Sequence, residues 1–126
     1  MECVVLVSVH APVDNQAWLD DLAQELLTAR LAAGLNISSP VRALFWWQGE
    51  LTSADEVLLE VTTRQGLAVE VEALILARHP YELPGIRTVD AQVNDGYHEW
   101  VIASTTDSRS VSDFGSADAR SGSQNG

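Results

Sequence analysis

Apolar and polar positions alternate along this chain in patterns that mark most of its elements. Glu2 to Val9 is almost continuously apolar and rich in β-branched residues, as expected of a central strand covered on both faces. Pro12 ends it, and Asp14 or Asn15 is placed to cap the helix that follows. Trp18, Leu22, Leu26, Ala29 and Ala33 then recur at helical spacing, with Asp20, Asp21 and Gln24 facing away. Gly34 is expected to close this helix as a left-handed cap.

A second strand is expected over 41–48, entered through Ser38-Ser39-Pro40, with 49–55 as a turn region and a third strand over 56–63. In that third strand Val57, Leu59 and Val61 share one face, while Glu56, Glu60 and Thr62 lie on the other. One face is dry and one partly wet, as in an antiparallel hairpin. A second helix is expected from Leu67 to Arg78, stopped by Pro80, because the residue before proline is pushed out of the helical region. Ile86 to Val93 reads as a fourth strand, and Gly96 to Ser104 as a short closing helix carrying Tyr97, Trp100 and Val101. The order is that of the split βαβ, ferredoxin-like α+β fold, βαββαβ with a short C-terminal helix. Such a fold hosts many unrelated activities and names none.

After Thr105 the chain turns to Ser, Gly, Asp and Arg, with Val111 and Phe114 as its large apolar residues. That composition buries too little surface to offset ordering entropy. The expected organisation is one domain over 1–105 and a disordered tail over 106–126.

The run Phe45-Trp46-Trp47-Gln48-Gly49-Glu50 changes this picture. Adjacent residues of a strand point to opposite faces, so one indole is expected to enter the chain's own core while the other seeks cover elsewhere. Full cover removes roughly 150–250 Å² of indole from water, about 4–6 kcal/mol as an upper bound. The second indole therefore reads as an association surface, which makes Phe45, Trp46, Trp47 and Gly49 candidate contacts between subunits.

Composition narrows the function classes. With 46% hydrophobic residues over 126 positions the chain can build one substantial core, and no apolar run is long enough to span a bilayer. No basic region precedes the apolar start, which argues against a secretory signal. A single cysteine, Cys3, excludes an internal disulfide, a zinc ribbon or a CxxC redox pair. Cys3 itself reads as an inert buried residue, and a cytoplasmic location is expected. The formal net charge of −11 argues against nucleic acid as a partner. All 7 basic residues are arginines; without lysine there is neither Schiff-base chemistry nor a P-loop of the usual kind.

Candidate chemistry gathers around His79-Pro80-Tyr81-Glu82-Leu83-Pro84. His79 and Glu82 are the candidate metal ligands, with His10 as a further donor. The alternative is a histidine that closes its helix through backbone carbonyls. Pro80 and Pro84 stiffen the loop, which either presents the Tyr81 phenol and Glu82 carboxylate to a ligand or fixes the return of the helix to the sheet. Trp47 and Gln48 join Tyr81 and Glu82 as candidate ligand contacts; Trp46 and Trp47 serve packing first, and both could line a cleft between subunits. Trp18 and Trp100 read as core or core-edge residues. Neither a GxSxG elbow nor an HExxH pair is present, and His10, His79 and His98 have no recognisable spacing, so no catalytic residue is assigned.

Taken in order, Trp47-Gln48-Gly49-Glu50, His79-Pro80-Tyr81-Glu82, Arg30-Leu31-Ala32-Ala33 ahead of Asn36-Ile37, Thr62-Thr63, and Tyr97 with Trp100 resemble the CutA divalent-cation tolerance proteins over Val4 to Thr105. The resemblance implies a homotrimer built by edge pairing of the hairpins of the second and third strands. It also implies an architecture similar to PII-type signalling proteins, whose intersubunit clefts bind small ligands, and a link to copper and other divalent cations without an established reaction. Val9 stands where some members carry a cysteine, Ala33-Gly34-Leu35 where many read Ala-Cys-Val, Thr62 where lysine is frequent, and Arg78-His79 where some have paired histidines. The implied copper or zinc would thus meet nitrogen and oxygen donors in place of sulfur. The expected role is binding of a divalent cation or small ligand between subunits, in metal tolerance or response. The alternative is a structural trimer that scaffolds another protein through its tail.

Overall fold

The computed structural model describes residues 2–106, so beyond Thr106 the expected tail lies outside the described residues. Nine residues of β1 (Val4–Pro12) form the centre of an antiparallel sheet. It is followed by α1 (Ala17–Thr28), β2 (Gly34–Ile37), β3 (Val41–Trp47), β4 (Glu50–Arg64), a 3₁₀ turn (Gln65–Leu67), α2 (Ala68–Arg78), β5 (Ile86–Ala91) and α3 (Asp95–Ser104). The sheet has five strands in the order β2-β4-β1-β5, with β3 on β4. This is the expected mixed α+β class, with one strand more than the sequence suggested.

The core is made where the expected dry faces meet. Val5, Val7 and Val9 of β1 and Val57, Leu59 and Val61 of β4 are buried against Leu19, Leu22 and Leu26 of α1 and Val71 and Ile75 of α2. Each such side chain, fully covered, contributes about 1.5–3 kcal/mol. Trp18 packs at the edge of this cluster. On the other face α3 closes over the β2 end of the sheet.

Several expectations are overturned. Gly34 does not cap α1. The helix stops at Thr28, and Arg30 (φ 61°) takes the left-handed position, with the Leu31 and Ala32 N–H groups both donating to the Leu26 carbonyl. Gly34 instead opens β2 opposite Thr62. Neither Asp14 nor Asn15 caps the start of α1: the helix begins after Gln16, and Asn15 (φ 54°) makes the preceding left-handed turn. Of the expected turn over 49–55 only Gly49 lies in a turn, and 50–55 are strand. β3 and β4 form one hairpin from Val41↔Glu56 to Trp47↔Glu50, closed by Gln48 (φ 51°) and Gly49 (φ 81°), the double positive φ of a tight two-residue turn. The fourth strand ends at Ala91, not Val93. Cys3 is exposed, because β1 enters the sheet one residue later.

The tandem tryptophans also depart from expectation: neither enters the core. Glu56 pairs with Pro12 on one side and Val41 on the other, so β3 lies on the edge of β4 opposite β1. β1 stops at that point, and 50–55 of β4 run on with β3 as a two-stranded arm. One face of the arm carries Leu44, Trp46 and Leu51, which are 68%, 70% and 72% exposed. Phe45 and Trp47, on the other face, are each more than a third exposed. The indoles stay in the open because the sheet that would cover them ends before the arm does.

Candidate functional site

The arm, the end of β1, the start of β5 and the loop after α2 enclose a cleft of about 780 Å³. Alternation along the hairpin sends Ala43, Phe45, Trp47, Thr52, Ala54 and Glu56 to one side, and all of these line it. His10, Tyr81, Glu82, Leu83 and Arg87, with Leu44 of β3, complete the wall. Of the residues singled out in the sequence, Trp47, Tyr81 and Glu82 therefore meet in one place. Gln48 does not join them; it occupies the hairpin turn with Gly49. Phe45 lines the cleft, while Trp46 faces away from it.

The loop is anchored by its histidine. His79 ends α2, its backbone N–H donating to the Ile75 carbonyl. Its ring Nδ1 accepts the Tyr81 N–H at 3.0 Å, and Nε2 lies 2.7 Å from the His10 carbonyl oxygen. An acceptor at Nδ1 and a carbonyl at Nε2 define the neutral tautomer with the proton on Nε2. The ring also packs edge-on to Trp18 (5.2 Å between centroids) and against Tyr81 (4.7 Å). Both nitrogens are thus engaged within the protomer, and ligation of a metal through His79 requires one of these bonds to open. Glu82 is exposed at the cleft rim. Among the described residues no three His, Cys, Asp or Glu side chains come together as a metal site.

The chemistry of the cleft floor is that of Glu56. Its residue is 5% exposed, and the Tyr81 phenol donates a short hydrogen bond to its Oε2. No hydrogen bond reaches Oε1 among the described residues. Burial pushes the Tyr81 phenol far above its ordinary value, and the hydrogen bond to Glu56 and the charges of Glu56 and Asp14 act in the same direction. Sequence placed Glu56 on a partly wet face and missed its role, along with that of Arg87. A polar residue inside an otherwise alternating strand gave no sign that a loop 25 residues downstream would cover it.

A second, shallower depression of about 510 Å³ lies between the ends of α1 and α3, bounded by Leu27, Arg30, Ala33, Trp100 and Ser104. The Arg30 guanidinium there donates to the Ser104 carbonyl at 3.2 Å.

Known proteins resemble this chain along nearly all of the described part. The family described as CutA1 divalent ion tolerance protein matches residues 5–104. A divalent-cation tolerance protein CutA from Pyrococcus horikoshii is 34% identical over 101 residues, covering 79% of this chain and 98% of the relative. A protein CutA homolog from Danio rerio is 35% identical over 106 residues, 82% of this chain and 68% of that one. Among solved structures, the divalent ion tolerance protein CutA1 from Ehrlichia chaffeensis superposes with a TM-score of 0.76 at 27% identity, covering 84% of this chain and 98% of the other.

Proposed function

This chain belongs to the CutA1 divalent ion tolerance family, and on that premise we propose that it acts as a cytoplasmic homotrimer that takes up a divalent cation or a small ligand in clefts between subunits, in a metal-tolerance role. The observation that carries the reading is the β3–β4 arm. Its apolar face, with Leu44, Trp46 and Leu51, lies open, and among the described residues no strand pairs with 50–55 of β4 on the edge where β1 pairs with 56–64. An apolar ribbon with a free edge is a template for another chain. Three arms that clasp one another would cover the indoles and place the Glu56 cleft beside a neighbouring subunit. The strand order β2-β4-β1-β5 supports a ferredoxin-like description of the protomer, extended by the extra β2.

In this reading Phe45, Trp46, Trp47 and Gly49 form the contact between subunits, and Trp47, Tyr81 and Glu82 face the ligand, with Gln48 at the hairpin tip. The described residues of one protomer do not supply a complete donor set for copper or zinc. Glu82 is available at the rim, His79 joins only by releasing the His10 carbonyl, and the remaining donors would come from a neighbour. The role is binding rather than catalysis, in keeping with relatives named as tolerance proteins. Among the described residues no helix is long and apolar enough to cross a membrane; the cytoplasmic assignment is supported by the single cysteine. Native mass spectrometry at micromolar concentration tests the assembly and should give trimers, lone protomers refuting it. Calorimetric titration with copper(II) and zinc tests the cation arm: heats no larger than buffer would remove it.

A further inference from the structure

We propose that the cleft beside β4 holds an organic ammonium ion, whose –NH₃⁺ group donates a hydrogen bond to Glu56 Oε1 beside Tyr81 while its organic part lies along the arm toward Phe45 and Trp47. The inference rests on the reading of this cleft as a ligand site and names the class of ligand. The Glu56 carboxyl group is buried, one oxygen takes the Tyr81 phenol, and the other has no donor among the described residues. A buried carboxylate oxygen without a partner is costly, so the group that completes the site must bring an N–H or O–H. The net charge of −11 favours a cation among such groups by raising its local concentration. Phe45 and Trp47, further along the arm, give apolar cover to the organic part of the ion.

The size of the space argues for an organic ion. About 780 Å³ lies within the range of small-molecule pockets and far exceeds a bare metal, for which no three-ligand cluster exists among the described residues. A second copy of the chain cannot provide the ammonium side chain, because the sequence contains no lysine. Arg87 on the β5 side of the cleft sets the orientation: the ammonium group lies toward Glu56, and any carboxylate on the same ligand lies toward Arg87. Simple amines and amino acids share the required chemistry and differ at that second point.

The test is titration of the full-length chain with n-butylammonium, 1,4-diaminobutane and 4-aminobutyrate, followed by tryptophan fluorescence and calorimetry, with tetramethylammonium as the cation that cannot donate. Saturable binding of n-butylammonium or its analogues at millimolar concentration is expected, weakened by about tenfold or more in Glu56→Gln, with tetramethylammonium the weaker ligand. Preference for 4-aminobutyrate over the simple amines, lost in Arg87→Gln, would assign the amino acid as the source; equal binding would assign the amine. If Glu56→Gln fails to fold, Trp47→Leu, outside the protomer's core, serves instead: it should weaken binding while circular dichroism shows the fold kept, and native mass spectrometry run alongside reports the assembly, since the same residue is placed between subunits. Absence of saturation with all three amines, undiminished binding in the variants, or equal binding of tetramethylammonium overturns the proposal. It also falls if Glu56→Gln disrupts the oligomer while the wild type ignores amines, because an arginine of a second copy then satisfies the carboxylate. Trimers that give heat with copper or zinc and none with amines would sink this inference alone. Amine binding by a monomer would instead sink the trimer.

Discussion

Trp100 stands over Gly34: a Cβ placed on that glycine would come 3.3 Å from the indole Cη2. The contact joins α3 to the first residue of β2 and explains why the smallest residue sits there, although its backbone is extended. Gly34→Val is expected to push the indole outward and destabilise the protein by about 1–3 kcal/mol. Chemical denaturation checks the size of the effect, and a shift in Trp100 fluorescence checks its origin. Unchanged stability would mean that α3 moves aside freely.

Arg64 ties both ends of the described chain to the sheet. Its guanidinium meets Glu2 Oε1 at 2.9 Å, Thr105 Oγ1 at 3.0 Å and the Thr105 carbonyl at 3.3 Å, while Glu2 Oε2 accepts the Gly66 N–H. Burial opposes ionisation of Glu2, but the Gly66 and Arg64 hydrogen bonds and the Arg64 charge outweigh it and hold the carboxyl below its usual range. A lowered folded-state value means stability that is present above the ordinary glutamate value and lost as pH falls through the folded one. Glu2→Gln should therefore be less stable than wild type at neutral pH, the gap closing in acid. Thermal unfolding across that range measures it, and a constant gap would refute the ionic origin.

Tyr81→Phe deletes the donor that Glu56 finds among the described residues and leaves its carboxyl group without a partner there, a loss of about 1–3 kcal/mol. In the wild type the raised phenol value contributes stability at neutral pH that is lost only as pH rises past the ordinary phenol range toward the folded-state value. Ultraviolet titration near 295 nm should show a late-ionising phenol in wild type that is missing from Tyr81→Phe. Disappearance of an early step instead would remove the Glu56 pairing.

Trp46→Ser combined with Leu51→Ser replaces a cross-strand pair on the open face of the arm. Neither residue belongs to the core, so the protomer should stay folded by circular dichroism. Its mass by light scattering should drop from that of an assembly to that of one chain. A variant that remains assembled would place the contact elsewhere.

Much of this architecture was legible in the sequence where a single periodicity covers a whole element. β1 and α2 are buried along the faces their apolar spacing marks, and α1 at Leu22 and Leu26; the marked stripe overran the helix, leaving Ala29 exposed and Ala33 beyond its end, and missed the buried Leu19. β2 was not legible: its Gly34-Leu35-Asn36-Ile37 is too short to alternate, and a glycine after a helix suggests a cap. Arg30 made that turn instead, a position whose positive φ no residue preference announces. In 49–55, Thr52, Ser53 and Asp55 resemble loop residues because one face of the arm is exposed and the other, which lines the cleft, is only partly covered, too little to demand apolar residues in alternation. The site divides in the same way. Trp47, Tyr81 and Glu82 stood out as unusual residues in short motifs. Glu56 did not, because its burial is made by a distant loop, and distance along the chain leaves no local trace.

β4 runs for 15 residues, about 50 Å at strand rise, and its two halves serve different masters. Its second half is the spine of the globular body and its first half the beam of the protruding arm, with Glu56 at the joint. No hinge separates them. Any force gripping the arm is transmitted along one uninterrupted backbone into the hydrophobic interior, so whatever fastens onto the beam also braces the house.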